Sequence, residues 1–338
     1  MVDWLTCRLP LHDDIRAMDL GLLAGRTVQF KPGGEVDWQA DRWLEVMGSF
    51  DSAIRLRTIA GELCLSGNPV KMLTGQNLDG PDDVGRLYAQ MVGAGAHALA
   101  VAPDLMAGDG NLTRIDITRS FQLGSQERVR EVLRVASITA RARHQGRAST
   151  ANLTVYLGKH SRRHSVKLYS KYDELKQHPP TELPSAICSE LQRQAQGLLR
   201  CEVTMRSMEL KERGLRHLAA WADPEQTQRQ WTDIMARVDI SSGVELANDE
   251  VLALPRRLRT SYELWLAGRD CAELMCRRTY YRHRRELLTS SNGRVDIGQL
   301  RPRETTSDIA IADIGEWLRK APEWHATGEL AEWIAAAA

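Results

Sequence analysis

Apolar and polar residues alternate with a period of two over several short stretches of the first two hundred residues. Such alternation sends one row of side chains into a core and the next toward solvent. VDWLTCRLP (2–10) reads as an edge strand, TVQFKPGGEVDWQ (27–39) as a hairpin turning at Lys31-Pro32-Gly33-Gly34, and RLRTIAGELCLSGNP (55–69) as a continuation of the sheet. LTRIDITRSFQL (112–123), TANLTVYLGK (150–159), HSVKLYSKYDEL (164–175) and LLRCEVTMRSM (198–208) supply further strands. The middle two pair across the polar turn 160–163, and the second of them has a sequence that can run into a helix. Helical spacing takes over at 82–98, where Val84, Leu87, Tyr88, Met91 and Val92 share a stripe, and again from Ser125 to about 143, then at 184–197. Beyond Leu210 the texture is helical throughout: 216–222, then 224–239 with Trp231, Ile234, Met235 and Val238 on one face. No fixed-period repeat occurs, which removes solenoids and propellers. The expected fold is α+β: an antiparallel sheet flanked by helices over 1–215, then a helical region over 216–338, with the change of texture falling between 215 and 245.

A chain of 338 residues, 43% hydrophobic and 26% charged, has ample material for a core and for two domains. Its formal charge of +1 excludes a uniformly basic nucleic-acid coat. The longest apolar stretch, 91–103, is broken by His97 and is too short for a membrane span of about 20 residues. The opening MVDWLTCRLPLHDD has no apolar leader core, so a cytoplasmic protein is expected. The six cysteines (Cys7, Cys64, Cys188, Cys201, Cys271, Cys276) lack metal-binding spacing and read as thiols.

The near-zero total conceals local asymmetry. From 141 to 176 nine Lys and Arg face two acids, and from 251 to 290 nine Arg face four acids, whereas the last 38 residues carry seven acids and four bases. In the first basic run Tyr156, Tyr169 and Tyr172 are interleaved with Lys159, Arg162, Arg163, Lys167, Lys171 and the histidines His160 and His164. Such a run attracts a phosphate backbone, and its tyrosines can stack on bases or act on them. A phenol beside lysines and a divalent cation has its phenolate stabilised and becomes a nucleophile toward a phosphodiester. The alternative is a plain basic binding face.

Two strands carry near-mirror triplets. Arg114, Asp116 and Thr118 share one face of the first, and Arg200, Glu202 and Thr204 share one face of the second. If the strands adjoin, Asp116 and Glu202 converge as hard oxygen ligands for Mg²⁺ or Mn²⁺. The alternative is ordinary cross-strand pairing of arginine with acid. His160 and His164 are candidates for a further ligand or a proton shuttle, or are simply solvated. In the C-terminal region LRTSYELWLAGRD and CRRTYYRHRRELL read as two helices separated by a short stretch, a helix-turn-helix pattern. Arg277, Arg278, Arg282, Arg284 and Arg285 crowd the second, which is the candidate for contacting DNA phosphates or guanine edges. Pairing of this helix with the acidic tail is the alternative.

The order of VDWLTCRLPL, NPVKMLTGQNLDG (68–80), TRIDIT (113–118), VKLYSKYDEL (166–175) and GLLRCEVTMRSMELKERGL (197–215) resembles the filamentous-phage gene II/X family of replication initiators over roughly the first 215 residues. The resemblance implies a rolling-circle endonuclease. Such an enzyme nicks one strand at an origin, stays attached through a 5′-phosphotyrosine and later rejoins the displaced strand, working with a host helicase and polymerase. The family's nucleophile falls on Tyr169, with Tyr172 as the second candidate, and the acids Asp116 and Glu202 fall on the positions expected to hold the cation, with His164 beside them. Lys167 and Lys171, at alternate positions to Tyr169 if the strand persists, would hold the phosphate. Arg114, Arg162, Arg163 and Arg200 complete the expected DNA-binding set. A homo-oligomer is compatible with this reading, as is a DNA-binding replication regulator with no cleavage activity.

Overall fold

A computed structural model of the chain describes residues 1–298 apart from 11, 14–19, 48–51, 60, 103–105, 107–109, 143–146, 150–153, 181–182, 224, 240–245, 247 and 292–294. The acidic tail lies outside the described residues, as does the start of the strand expected at 150–159.

The strands are β1 (Val2–Pro10), β2 (Arg26–Phe30), β3 (Val36–Asp41), β4 (Leu44–Met47), β5 (Ala53–Ile59), β6 (Glu62–Gly67), β7 (Asn111–Gln122), β8 (Arg141–Ala142), β9 (Arg147–Ser149), β10 (Val155–Leu157), β11 (His164–Ser170), β12 (Leu198–Arg206) and β13 (Val238–Asp239). Nine of them form one antiparallel sheet in the order β4-β5-β6-β1-β7-β12-β11-β10-β9. The opening strand is therefore central, hydrogen-bonded on both sides, where its sequence had read as an edge. Polar residues at alternate positions suit an interior strand when one sheet face remains partly open, which is the case here. The 55–69 stretch is a hairpin, with Gly61 at φ +79° in the turn, and β2–β3 form an exposed two-stranded arm.

Helices α1 (Leu20–Ala24), α2 (Pro69–Thr74), α3 (Val84–Ala98), α4 (Gln126–Thr139), α5 (Lys171–Gln177), α6 (Ser185–Ala195), α7 (Ser207–Glu212) and α8 (Gln226–Met235) surround the sheet. Asp83 and Ser125 cap α3 and α4 by accepting from the backbone N–H three residues on. Both helices bury apolar stripes against one face of the sheet, where Leu5, Cys7 and Leu9 of β1, Ile115 and Ile117 of β7, Val203 and Met205 of β12, and Val166 and Leu168 of β11 form the main core. That core also takes in Trp221 and Ile234, so the sheet's packing continues past 215 into α8. A smaller apolar cluster joins Leu175 of α5 to Ile187, Leu191 and Ala195 of α6 and to Leu198, covering one end of the opposite face.

The C-terminal part comprises α9 (Asn248–Ala253), α10 (Arg256–Leu266), α11 (Cys271–Leu274) and α12 (Arg277–Ser290). The short α11 occupies the gap expected between two helices. These elements close around a separate apolar cluster of Leu258, Tyr262, Trp265, Cys271 and Leu287.

Candidate functional site

The register decides which side chains can meet. Across β11 and β12 Lys167 faces Glu202 and Tyr169 faces Arg200, and across β12 and β7 Glu202 faces Thr118 and Thr204 faces Asp116. On the other side of β7, Asp116 faces Trp4 of β1. Direct partners in an antiparallel pair point to the same face. One face therefore carries Lys167, Tyr169, Arg200, Glu202, Thr204, Asp116, Arg114 and Trp4, opposite the apolar core. A bulge between Val2 and Trp4 breaks the alternation of β1 and turns Asp3 to this face as well. Asp3 was not singled out by sequence: one acid in an alternating strand announces no bulge.

Asp116 is 3% exposed and accepts two bonds from the Arg114 guanidinium, Nε at 2.9 Å and Nη2 at 2.5 Å. Burial pushes its carboxyl up, against the pull of Arg114. Glu202 is raised by burial and then by the charge of Asp116, while Lys167, with Nζ 3.6 Å from its carboxylate, pulls the other way. The two repelling carboxylates, partnered by Arg114 and Lys167, are hard oxygen donors whose remaining charge a divalent cation would offset. Mg²⁺ commonly takes one or two carboxylates and completes its shell with water and phosphate oxygens, so this donor set fits a hard divalent ion. Among the described residues no group of three His, Cys, Asp or Glu is arranged around a common metal position.

Tyr169 reaches the same face but is only 5% exposed. Lys167 Nζ lies 4.1 Å from its ring centroid, and burial pushes its phenol well above the ordinary value, with Arg200 opposing that shift. Charged neighbours, and not hydrocarbon alone, enclose the ring.

Three expected site residues leave this face, and a fourth, Arg200, shares it but is covered. His164 pairs across the strands with Met205, on the core side, and its Nδ1 lies 3.3 Å from Glu209. The odd spacing from Lys167 puts it on the wrong face for the metal. The strand stops at Ser170, whose Oγ caps α5 by accepting from Asp173 N at 3.1 Å, so Lys171 and Tyr172 are helical and leave the face that Tyr169 shares. Lys171 is fully buried, with Nζ donating to Asn77 Oδ1 at 2.7 Å and Glu174 Oε2 at 2.6 Å, and cannot meet a phosphate in this arrangement. Tyr172 packs beside the α5–α6 cluster. Arg200, also fully buried, donates to Ser120 Oγ and to the carbonyls of Asn77 and Leu78, so it braces the loop after α2 where a DNA contact was expected.

The Phage_CRI family model, which describes the N-terminal part of a replication-associated protein, matches residues 1–224. The chain belongs to this replication-associated family. A curated relative from Enterobacteria phage I2-2, itself called a replication-associated protein, is 34% identical over 306 residues, covering 85% of this chain and 86% of its own. A rolling-circle replication initiator from Geobacillus stearothermophilus shares 9% identity at a TM-score of 0.31, over 74% of this chain and 89% of its own. The family match spans every strand of the polar face and ends before α8, so the Arg-rich helix lies outside it.

In this member of the family Arg162 is exposed and Arg163 pairs with Glu212 at the β10–β11 turn. On α12 Arg277, Arg278, Arg282 and Arg285 are exposed, as is Tyr281. Arg284 differs: it grips the buried Asp296 in a two-bond pair at 2.6 and 2.9 Å and serves the helical core. Among the described residues no helix is long and apolar enough to cross a membrane.

Proposed function

We propose that the chain is a rolling-circle replication initiator that nicks one DNA strand by transesterification on the polar face of the sheet. The observation that carries this reading is the register that gathers Asp116, Glu202, Lys167 and Tyr169 on one face, in a chain of a replication-associated family.

Asp116 and Glu202 would hold Mg²⁺ or Mn²⁺, which when bound neutralises charge on the transferring phosphate. Lys167, half-exposed beside Glu202, offers its ammonium to a non-bridging phosphate oxygen. The Tyr169 oxygen forms a bond to phosphorus as the bond to the 3′ oxygen breaks. The phenolic proton passes to solvent and the leaving oxygen takes one up, giving a free 3′-hydroxyl and a 5′-phosphotyrosyl ester. Because the ester is retained, a later 3′-hydroxyl can reverse the step and close a circle without ATP. Tyr169 is nearly buried and its phenol is raised by that burial, so attack requires DNA binding to open the ring's surroundings. The 3′ end suits a host polymerase, and strand displacement suits a host helicase. The exposed arginines of α12 are the proposed duplex contacts.

The experiment is nicking of supercoiled phage DNA with and without Mg²⁺, analysed for protein on the 5′ end. A metal-dependent nick with attached protein is expected, and a free 5′-phosphate refutes transesterification. The near-complete burial of Tyr169 favours one second reading, a DNA-binding replication regulator without cleavage, which predicts salt-dependent binding and no nick under either condition.

A further inference from the structure

A cavity of about 420 Å³ opens beside the carboxylate face, between β1, β4, β5 and the start of α2. Asp3, Trp4, Arg55, Asn68, Lys71 and Asn77 supply its chemistry. We propose that it is a subsite for one unstacked, amino-bearing nucleobase of the strand being cut: adenine, cytosine or guanine in preference to thymine. This inference rests on the reading that the polar face engages DNA.

The size suits a single nucleoside, at the lower end of the range for small-molecule pockets. The polarity follows from how its hydrogen bonds are spent. Asn68 Nδ2 and Asn77 Nδ2 both donate to Asp3 Oδ1, at 2.7 and 3.2 Å. The amide oxygens are occupied too: Asn68 Oδ1 accepts from Lys71 N, capping α2, and Asn77 Oδ1 accepts from Lys171 Nζ. The second Asp3 oxygen receives no donor among the described residues. It is therefore an open acceptor on the cavity wall, which Glu45 also lines, and an exocyclic amine is its natural partner, as carboxylates accept from cytosine N4. Thymine sets its one N–H between two carbonyls, which a carboxylate repels.

The other features fit a nucleotide. Trp4 provides an aromatic wall held in place by Nε1 donating to Ser66 Oγ at 3.1 Å and Thr6 Oγ1 at 3.3 Å. Lys71 has no acid partner among the described residues and stands on the cavity wall, where a backbone phosphate would pass. Arg55, paired with Glu45 at 3.0 Å, flanks it. The bulge that turns Asp3 inward also places it next to Trp4, the strand partner of Asp116, so a base here belongs to a nucleotide close to the proposed cleavage point.

The test is fluorescence anisotropy of the full chain in EDTA, with a single-stranded thymidine dodecamer and with dodecamers carrying one central dA, dC, dG or abasic residue. Sliding lets the single odd base find the subsite. The amino-bearing oligonucleotides should bind about tenfold tighter than the all-thymidine and abasic ones. Asp3→Asn, which turns the open acceptor into a donor, should abolish or invert that order while matching the parent in thermal melting. Lys71→Ala should weaken all five equally. No preference in the parent, or the same preference in Asp3→Asn, overturns the subsite. Because metal is withheld, the outcome is separable from cleavage: nicking without base preference removes only the subsite, and base preference without nicking removes only the transesterification. Absence of binding to every oligonucleotide in EDTA removes the subsite and leaves the metal-dependent nick to its own assay.

Discussion

Lys171 gives a stability test that reads the architecture beneath the site. Its ammonium is fully buried and holds Asn77, which in turn holds Asp3. Burial, with Arg200 nearby, lowers its pKa from 10.5 to about 8 despite the opposing pull of Glu174. Below pH 8 the group is charged in both folded and unfolded chains, and burying it costs stability. Between about 8 and 10.5 the folded chain has released the proton while the unfolded chain keeps it, so the unfolded state binds more protons and stability rises with pH. At about 1.4 kcal/mol per pH unit the whole effect is roughly 3 kcal/mol, most of it gained between pH 7 and 10. Lys171→Met removes the titration while filling similar space, and Glu174 remains partly solvated. Urea unfolding of both proteins at pH 7, 8, 9 and 10 cancels the other titrating groups in the difference. The parent should gain on the variant by about 2 kcal/mol or more across that range. A difference that stays flat, or that falls with pH, would refute the buried ammonium.

Three further outcomes follow from the same geometry. Glu202→Gln relieves repulsion with Asp116, so melting should hold or rise while nicking drops by about two orders of magnitude or more; a parallel loss of both would mark a structural residue. Alanine at Arg277, Arg278, Arg282 or Arg285 should each lower the salt slope of duplex binding by about one, with unchanged melting, whereas Arg284→Ala should leave the slope and cost about 1–3 kcal/mol, because the buried Asp296 loses its pair. Gly197 enters β12 at φ +73°, and an added Cβ would stand 3.1 Å from the Gly124 carbonyl carbon; Gly197→Ala should destabilise by about 1–2 kcal/mol or more in urea unfolding.

The carboxylate pair was legible because β7 and β12 each bury one row of side chains: Ile115 and Ile117, Cys201 and Val203 are core, so Asp116 and Glu202 had to share the other side once the strands adjoined. What alternation alone does not reveal is what covers that other side. Arg200 lies under the loop that follows α2, which turned an apparent DNA contact into a buried brace. His164 was misplaced by a single step of parity, which flips a strand residue to the opposite face. For Lys171 and Tyr172 a signal did exist: Ser170 three residues before Asp173, and then Glu174, is a helix-start pattern that outweighed the alternation. Asp3 had no such signal, since its position depends on a bulge set by pairing between β1 and β7, partners more than one hundred residues apart. The Arg-rich α12 was legible as a helix, yet Arg284 differs from its neighbours only because Asp296 folds back onto it.

In the proposed reaction a tyrosine on the carboxylate face takes up the DNA. Digestion of the protein–DNA adduct formed with Mg²⁺ and origin DNA, followed by mass spectrometry of the nucleotide-bearing peptide, addresses it directly. The modification should fall on Tyr169, be lost in Tyr169→Phe and be retained in Tyr172→Phe. A nucleotide on Tyr156, Tyr172, Tyr280 or Tyr281, or a nick with no peptide attached, would contradict it.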